Sequence, residues 1–205
     1  MRFSLKLITI VLVIPPFAAS QEVEHFNVSM NAAGVFSKTS NSSNGSLTLK
    51  PTNSVAQFGT FRWRLNRFHA LELNIGHIMN SQVYTLAPNN FRVATGITEF
   101  SGAYVLSPKR TEHWEPFLLG GAGALRFNPD NTYINGLLSL FPVKKQTEIG
   151  FLYGAGTDYI FWKFLAVRLQ YRGLIYKAPN FGQPNLATHV KGHLAEPAVG
   201  IVVKF

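Results

Sequence analysis

The side chains able to do chemistry are few in this sequence, and their spacing limits what they can do. There are six histidines and no cysteine, which removes thiol nucleophiles, disulfide frameworks and cysteine metal sites. A hydrolase or acyltransferase built without a thiol needs a nucleophile, a base and an orienting acid within hydrogen-bond reach. Ser and Thr abound, yet no spacing ties one to His25, His69, His77, His113, His189 or His193. His77 and His193 are the two positions worth testing for catalysis. His193 and Glu196 differ by an odd number of positions, so on a strand they face opposite sides. His189 and His193 form the one histidine pair at ligand-like spacing, and they read as a loop-to-strand junction. Aspartates are limited to Asp130 and Asp158, and the chain is read as a non-enzyme with no metal and no cofactor. Gly120-Gly121-Ala122-Gly123 lacks the Lys-Ser/Thr and the helix of a phosphate loop, and reads as small residues that let a strand bend. The sequons at Asn27, Asn41 and Asn44 would matter in a eukaryotic secreted protein, and in a bacterial one they are chance occurrences in Ser/Asn-rich sequence.

A second set of charged residues is arranged differently. Arg62, Arg64, Arg168, Arg172 and Lys204, with Glu72, Glu99, Glu196 and Asp158, fall at alternate positions within apolar runs. Thr60, Arg62 and Arg64 share one face, opposite Val55, Gly59, Phe61, Trp63 and Leu65. Arg168, Gln170 and Arg172 alternate with Leu165, Val167, Leu169, Tyr171 and Ile175. Glu196, Gly200 and Lys204 alternate with Pro197, Val199, Ile201, Val203 and Phe205. Side chains on a strand point to opposite faces in turn, so each such strand has an apolar side and a charged side. No segment beyond the first twenty residues keeps apolar residues at helical spacing.

Eight stretches of this kind are expected, near 25–36, 54–65, 69–79, 92–106, 115–127, 147–160, 164–176 and 192–205. Long and short connections alternate between them. The long ones are 38–53, 80–91, 128–145 and 177–191. The short ones lie around Asn66-Arg67, over 108–113 and over 161–163. This is the layout of an up-and-down barrel in an outer membrane, with short periplasmic turns, longer extracellular loops and both termini periplasmic.

Alternation alone does not say which face looks outward, because a lipocalin-like barrel inverts the pattern. Two features decide for a membrane. Phe61, Trp63, Tyr104, Tyr159, Tyr171 and Phe205 sit on the apolar face near strand ends, as interfacial rings do. The polar face carries both signs in near balance, as a narrow lumen filled with side chains requires, since unpaired buried charge is costly. The expected fold is therefore all-β, an eight-stranded antiparallel up-and-down transmembrane β-barrel with a lumen laced by ion pairs.

The ends of the chain address it. Arg2 and Lys6 precede a short apolar run, Leu7 to Pro16, and Ala18-Ala19-Ser20 offers a cleavage site, so residues 1–20 read as a signal peptide and 21–205 as the barrel domain. The run is about half of the roughly 20 residues a spanning helix needs. Formal charge falls from +9 to +7 when Arg2 and Lys6 leave. For an exported chain that basic balance points to outer-membrane lipid and lipopolysaccharide and not to nucleic acid.

The ending Pro197-Ala198-Val199-Gly200-Ile201-Val202-Val203-Lys204-Phe205 resembles the C-terminal assembly signal of outer-membrane barrels, with Val199, Ile201, Val203 and Phe205 as its alternating row. Val203 stands where many members carry a second aromatic. The segment from Gln170 to Phe181 is similar to small outer-membrane barrels of soil bacteria such as acidobacteria. Gly154-Ala155-Gly156-Thr157-Asp158-Tyr159 resembles the penultimate hairpin of OmpA-like and OmpX-like barrels. The resemblance implies the barrel-assembly machinery and periplasmic chaperones as partners and the cell outer membrane as the location. It names no activity. A structural or surface-contact role leads, with a narrow pore for small solutes and a lipid A-modifying enzyme as the alternatives. The loop from Lys177 to Pro184 reads equally as an outward recognition surface bearing an exposed aromatic and as a flap over the barrel mouth.

Overall fold

The computed structural model describes residues 25–42, 47–139, 142–188 and 190–205. The expected signal peptide, residues 1–20, lies outside the described residues, as does His189. Eight long strands form the wall: β1 (Phe26–Ser37), β2 (Ser54–Arg64), β3 (His69–Leu86), β4 (Asn89–Leu106), β5 (Trp114–Ile134), β6 (Gln146–Trp162), β7 (Leu165–Lys177) and β8 (Lys191–Lys204). Every neighbouring pair is antiparallel, and β1 pairs with β8, so the sheet closes. At the seam the backbone N–H of Phe205 donates to the carbonyl of Phe26 at 2.8 Å. Closure leaves no edge strand exposed along the wall.

The register fixes the stagger. Starting at Phe26, direct partners run through Trp63, Leu71, Tyr104, Gly120, Tyr153, Gly173 and Ala195, and return to β1 at Phe36. One circuit thus climbs ten residues (36 − 26). Eight strands with this shear enclose a lumen just wide enough for side chains to fill.

The alternation then sorts the faces. Outward residues are apolar and bare, such as Leu73, Met79, Ile149 and Ile201, which are 60 to 79 % exposed. Inward residues include Arg62, Glu72, Arg168 and Glu196, each at most 1 % exposed. A soluble barrel would show the reverse. Tyr171 faces outward but lies mid-strand, opposite Ala155 and Pro197, so it belongs to the apolar band and not to an interfacial ring.

The two ends are built differently. At the short-turn end Asn66 Oδ1 accepts the backbone N–H groups of Phe68 and His69 at 2.9 and 3.0 Å, an Asx turn that closes β2–β3 in few residues. Thr111 braces the β4–β5 turn, its Oγ1 accepting the N–H of Trp114 at 3.0 Å. At the other end two expected loops are strand instead. β3 and β4 stay paired as far as Leu86 and Asn89, so the segment 80–91 is a protruding hairpin. β5 runs on to Ile134 and folds back as Leu137–Ser139. Asn135 and Gly136 take φ of 50° and 85° there, the positive angles a tight hairpin turn needs and Asn-Gly supplies. The segment 38–53 carries a small ladder, Ser40–Asn41 with Thr48–Pro51, the latter pairing with β3.

A closed wall also needs small residues where strands press together. A Cβ on Gly121 would lie 2.0 Å from the carbonyl oxygen of Gly102 on β4. The glycine run at 120–123 is therefore a place of close backbone approach within the wall.

Candidate functional site: the charged lumen and its stopper

The lumen carries three tiers of ionised side chains. At the short-turn end Glu115 is the hub. Lys204 Nζ donates to its Oε2 at 3.1 Å, Arg64 pairs with its Oε1, and the half-buried Arg110 lies 3.3 Å away. In the next tier Arg62 Nε and Nη2 donate to Glu72 Oε2 at 2.9 and 2.7 Å. Arg168 engages Asp158 in a two-pronged pair at 2.7 and 2.8 Å. The two pairs cross-link, with Arg62–Asp158 and Arg168–Glu72 both at 3.7 Å. Higher up, Arg172 Nη2 donates to Glu99 and Glu196 at 2.6 Å each, and Ser101 Oγ donates to Glu99 at 2.6 Å.

Aromatic faces separate and support these tiers. The Arg62 and Arg168 guanidinium carbons stand 4.2 and 5.1 Å from the centroid of Phe117. That of Arg172 is 3.9 Å from the centroid of Phe58. A flat, weakly hydrated guanidinium packs on a ring while its edge nitrogens serve carboxylates, which is why arginine and not lysine fills this space.

The count of buried charge explains how so many ions tolerate a narrow lumen. Five bases, Arg62, Arg64, Arg168, Arg172 and Lys204, meet five acids, Glu72, Glu99, Glu115, Asp158 and Glu196, all buried. Half of the ten acidic residues of the chain are spent here. Among the described residues the formal charges inside cancel, and each ion has an opposite partner.

All eight residues singled out from alternation for the lumen, Arg62, Arg64, Glu72, Glu99, Arg168, Arg172, Glu196 and Lys204, are inward-facing and take part in these pairs. Asp158 joins them. Glu115 escaped the sequence reading, because β5 is apolar on both faces and gives no alternation to assign it. A weaker signal existed: Arg64, Arg110 and Lys204 gather at the short-turn end, and an acid was owed to them. The row Val199, Ile201, Val203 and Phe205 lies on the opposite, outward face of β8, with Val199 and Ile201 exposed and Val203 and Phe205 partly so.

Above Arg172 the filling changes to hydrocarbon. Leu125, Phe127, Leu152, Leu174, Tyr176 and Leu194 pack inside the wall, each almost wholly buried. The segment after β7 folds down onto them. Phe181 is 0 % exposed and sits edge-on to Tyr84 and Phe127, with centroids 6.4 and 6.3 Å apart. Tyr84 OH donates to the carbonyl of Pro179 at 2.6 Å. Gln146 Oε1 accepts the N–H groups of Asn180 and Phe181 at 3.0 and 2.7 Å. Phe181 and Gly182 have φ of 53° and 76°, which reverses the chain into the mouth. Of the two readings of this loop, the buried Phe181 fits the flap over the mouth, with its ring as the stopper of the barrel.

The histidines are dispersed. His69 meets the Tyr104 hydroxyl at the short-turn end, and His113 stacks on Tyr159 there; His25 lies at the same end. His77 is exposed on the outward wall beside Gly96, and β3 continues nine residues past it to Leu86. His193 Nε2 faces Tyr153 OH at 2.8 Å, while Glu196 is on the other face. No group of three or more metal-ligating side chains occurs among the described residues.

Comparison by sequence finds no matching family model and no matching curated protein. Comparison by structure finds small outer-membrane barrels. Neisserial surface protein A shares 18 % identity at a TM-score of 0.55, over 88 % of this chain and 97 % of that one. OprG from Pseudomonas aeruginosa shares 13 % at 0.59, over 89 % and 96 %. Ail, the attachment invasion locus protein of Yersinia pestis, crystallised with the heparin analogue sucrose octasulfate, shares 14 % at 0.53, over 89 % and 100 %. The chain has the fold of the small eight-stranded outer-membrane β-barrels. Its architecture, apolar outside and charged inside, is that of an integral membrane barrel.

Proposed function

We propose that this chain is an exported outer-membrane protein whose barrel is a closed scaffold and whose loop end is a contact surface. In this reading residues 1–20 are removed on export, and the short-turn end and both termini face the periplasm. The row Val199, Ile201, Val203 and Phe205 is read by the barrel-assembly machinery after delivery by periplasmic chaperones. The observation that carries the reading is the double filling of the lumen, by balanced ion pairs below and the Phe181 stopper above. Such a lumen favours a scaffold over a pore for solutes. At His193 the hydrogen-bonding partner is the Tyr153 hydroxyl while Glu196 is on the inward face, so no base and orienting acid meet there, which favours a scaffold over a lipid-modifying enzyme.

What the scaffold displays is basic. Lys50, Arg92, Lys144 and Lys145 are exposed around the rim of the loop end, where Asp130 is the exposed acid among the described residues. A rim of this sign attracts anionic polymers at a surface, and one structural neighbour was crystallised with a polysulfated ligand. The test is retention of cells displaying the protein on a heparin-coated surface. Retention above that of cells lacking the protein, falling as salt rises, is expected. Equal retention with and without the protein contradicts the contact role, and recovery of the protein in the soluble fraction contradicts the membrane assignment.

A further inference from the structure

The outward wall has a feature that neither the lumen nor the rim explains. Between β6, β7 and β8, at the loop end of the apolar band, Ile149, Phe151 and Ile175 line a groove of about 430 Å³ edged by Lys177 and Lys191. These lysines are direct register partners on adjacent strands, and both are exposed. Like charges set directly opposite each other weaken a sheet. None of the ion pairs among the described residues includes either lysine.

A further cation stands beside them. The N–H of Lys38 donates to the carbonyl of His193 at 3.1 Å, two positions from Lys191. With ten residues of shear over eight strands, each step round the wall climbs about one and a quarter residues. Lys177 on β7, Lys191 on β8 and Lys38 at the end of β1 therefore lie on three successive strands within about two residues' rise of one another. Just below them the Tyr153 hydroxyl and His193 imidazole are held together across Gly173, where a Cβ would come within 2.3 Å of the tyrosine ring.

We propose that this groove and its cationic edge bind a lipid A moiety of lipopolysaccharide. An acyl chain lies along Ile149, Phe151 and Ile175, and a phosphate bridges Lys177 and Lys191. Lipid A is the occupant because its two phosphates sit on a rigid disaccharide, matching a cation set that extends past one pair to Lys38 on the next strand. Phosphatidylglycerol offers one phosphate. The site rests on the outer-membrane reading above, with the loop end outward.

Full-length protein refolded in nonionic detergent is titrated with bisphosphorylated, hexa-acylated lipid A or with phosphatidylglycerol, and retained lipid is read by native mass spectrometry. The wild type is expected to keep one lipid A. Lys177→Ala/Lys191→Ala is expected to weaken retention at least about ten-fold, and Arg67→Ala/Lys109→Ala at the opposite, short-turn end, where both are exposed, to leave it unchanged. Lys191→Glu gives Lys177 an ionic partner, so it should abolish retention while raising the thermal midpoint of the lipid-free barrel. Equal retention by the wild type and both wall variants overturns the site, and so does equal retention of phosphatidylglycerol. Heat-shifted gel mobility in the same samples separates the two failures. A wild type that shows the shift but keeps no lipid A overturns this site alone; one that stays soluble without detergent and shows no shift overturns the membrane reading.

Discussion

From the short-turn end up to Arg172 the lumen is filled with guanidinium and carboxylate groups, and above Arg172 with rings and branched aliphatics, although the same eight strands wall both halves. The lower half is closed by the wall's own side chains. Three pairs there, Arg62 with Glu72, Arg168 with Asp158 and Arg172 with Glu196, join groups that the register already brings face to face, and the others cross the lumen. The upper half is closed by chain that is not wall. Phe181 arrives on a connection between β7 and β8, with backbone held by Gln146 and Tyr84. In the charged half a group matters through the partners it would leave behind, whereas in the apolar half it matters through the volume it fills.

That contrast is breakable by substitution, and the largest effect belongs to Arg172→Ala. It strands Glu99 and Glu196 beside each other with no cation between them. A loss of about 3–5 kcal/mol is expected, read as a lowered urea midpoint in detergent and a smaller fraction of heat-modifiable protein. Phe181→Ala should cost about 3 kcal/mol, but locally. Amide exchange over the segment 178–188 should quicken by roughly 100-fold while β1 to β8 keep their protection. If the wall loosens equally, the stopper is not a separate unit.

A smaller effect is expected where a pair is removed whole. Arg62→Met with Glu72→Leu leaves the two-pronged Arg168–Asp158 pair intact, so the double variant should lose less than about 1.5 kcal/mol and each single variant about 3 or more. A double variant as damaged as the sum of its singles would show that the tier is not held by pairing. Least of all, Lys50→Ala/Lys145→Ala on the rim should leave stability within about 0.5 kcal/mol while lowering retention on heparin.

The halves also differ in how well the sequence announces them. Arg62 and Arg64, Arg168 and Arg172, and Glu196 and Lys204 are legible because they alternate with residues that face lipid, and two chemically opposite surroundings leave a period-two trace. Their partners are less legible. Arg172 with Glu99 spans 73 positions and Lys204 with Glu115 spans 89, so pairing depends on shear and register, which no local pattern records. Glu115 is hidden further by the apolar second face of β5. At the loop end legibility falls again. Asn135-Gly136 between Ile134 and Leu137 does carry a hairpin signal, lost when 128–145 is read as one long loop. Nothing local distinguishes a Phe181 that plugs the mouth from one that faces solvent, because its burial is decided by Tyr84 and Phe127, far away in the chain.

The central claim is that the lumen is sealed twice, and ionic conductance across a planar lipid bilayer measures it most directly. The wild-type protein, inserted and confirmed as folded, is expected to give no stable conductance steps, and Phe181→Ala is expected to stay closed because the charged tiers remain. Stable ohmic steps from the wild type, of the size a water-filled pore gives, would contradict the account.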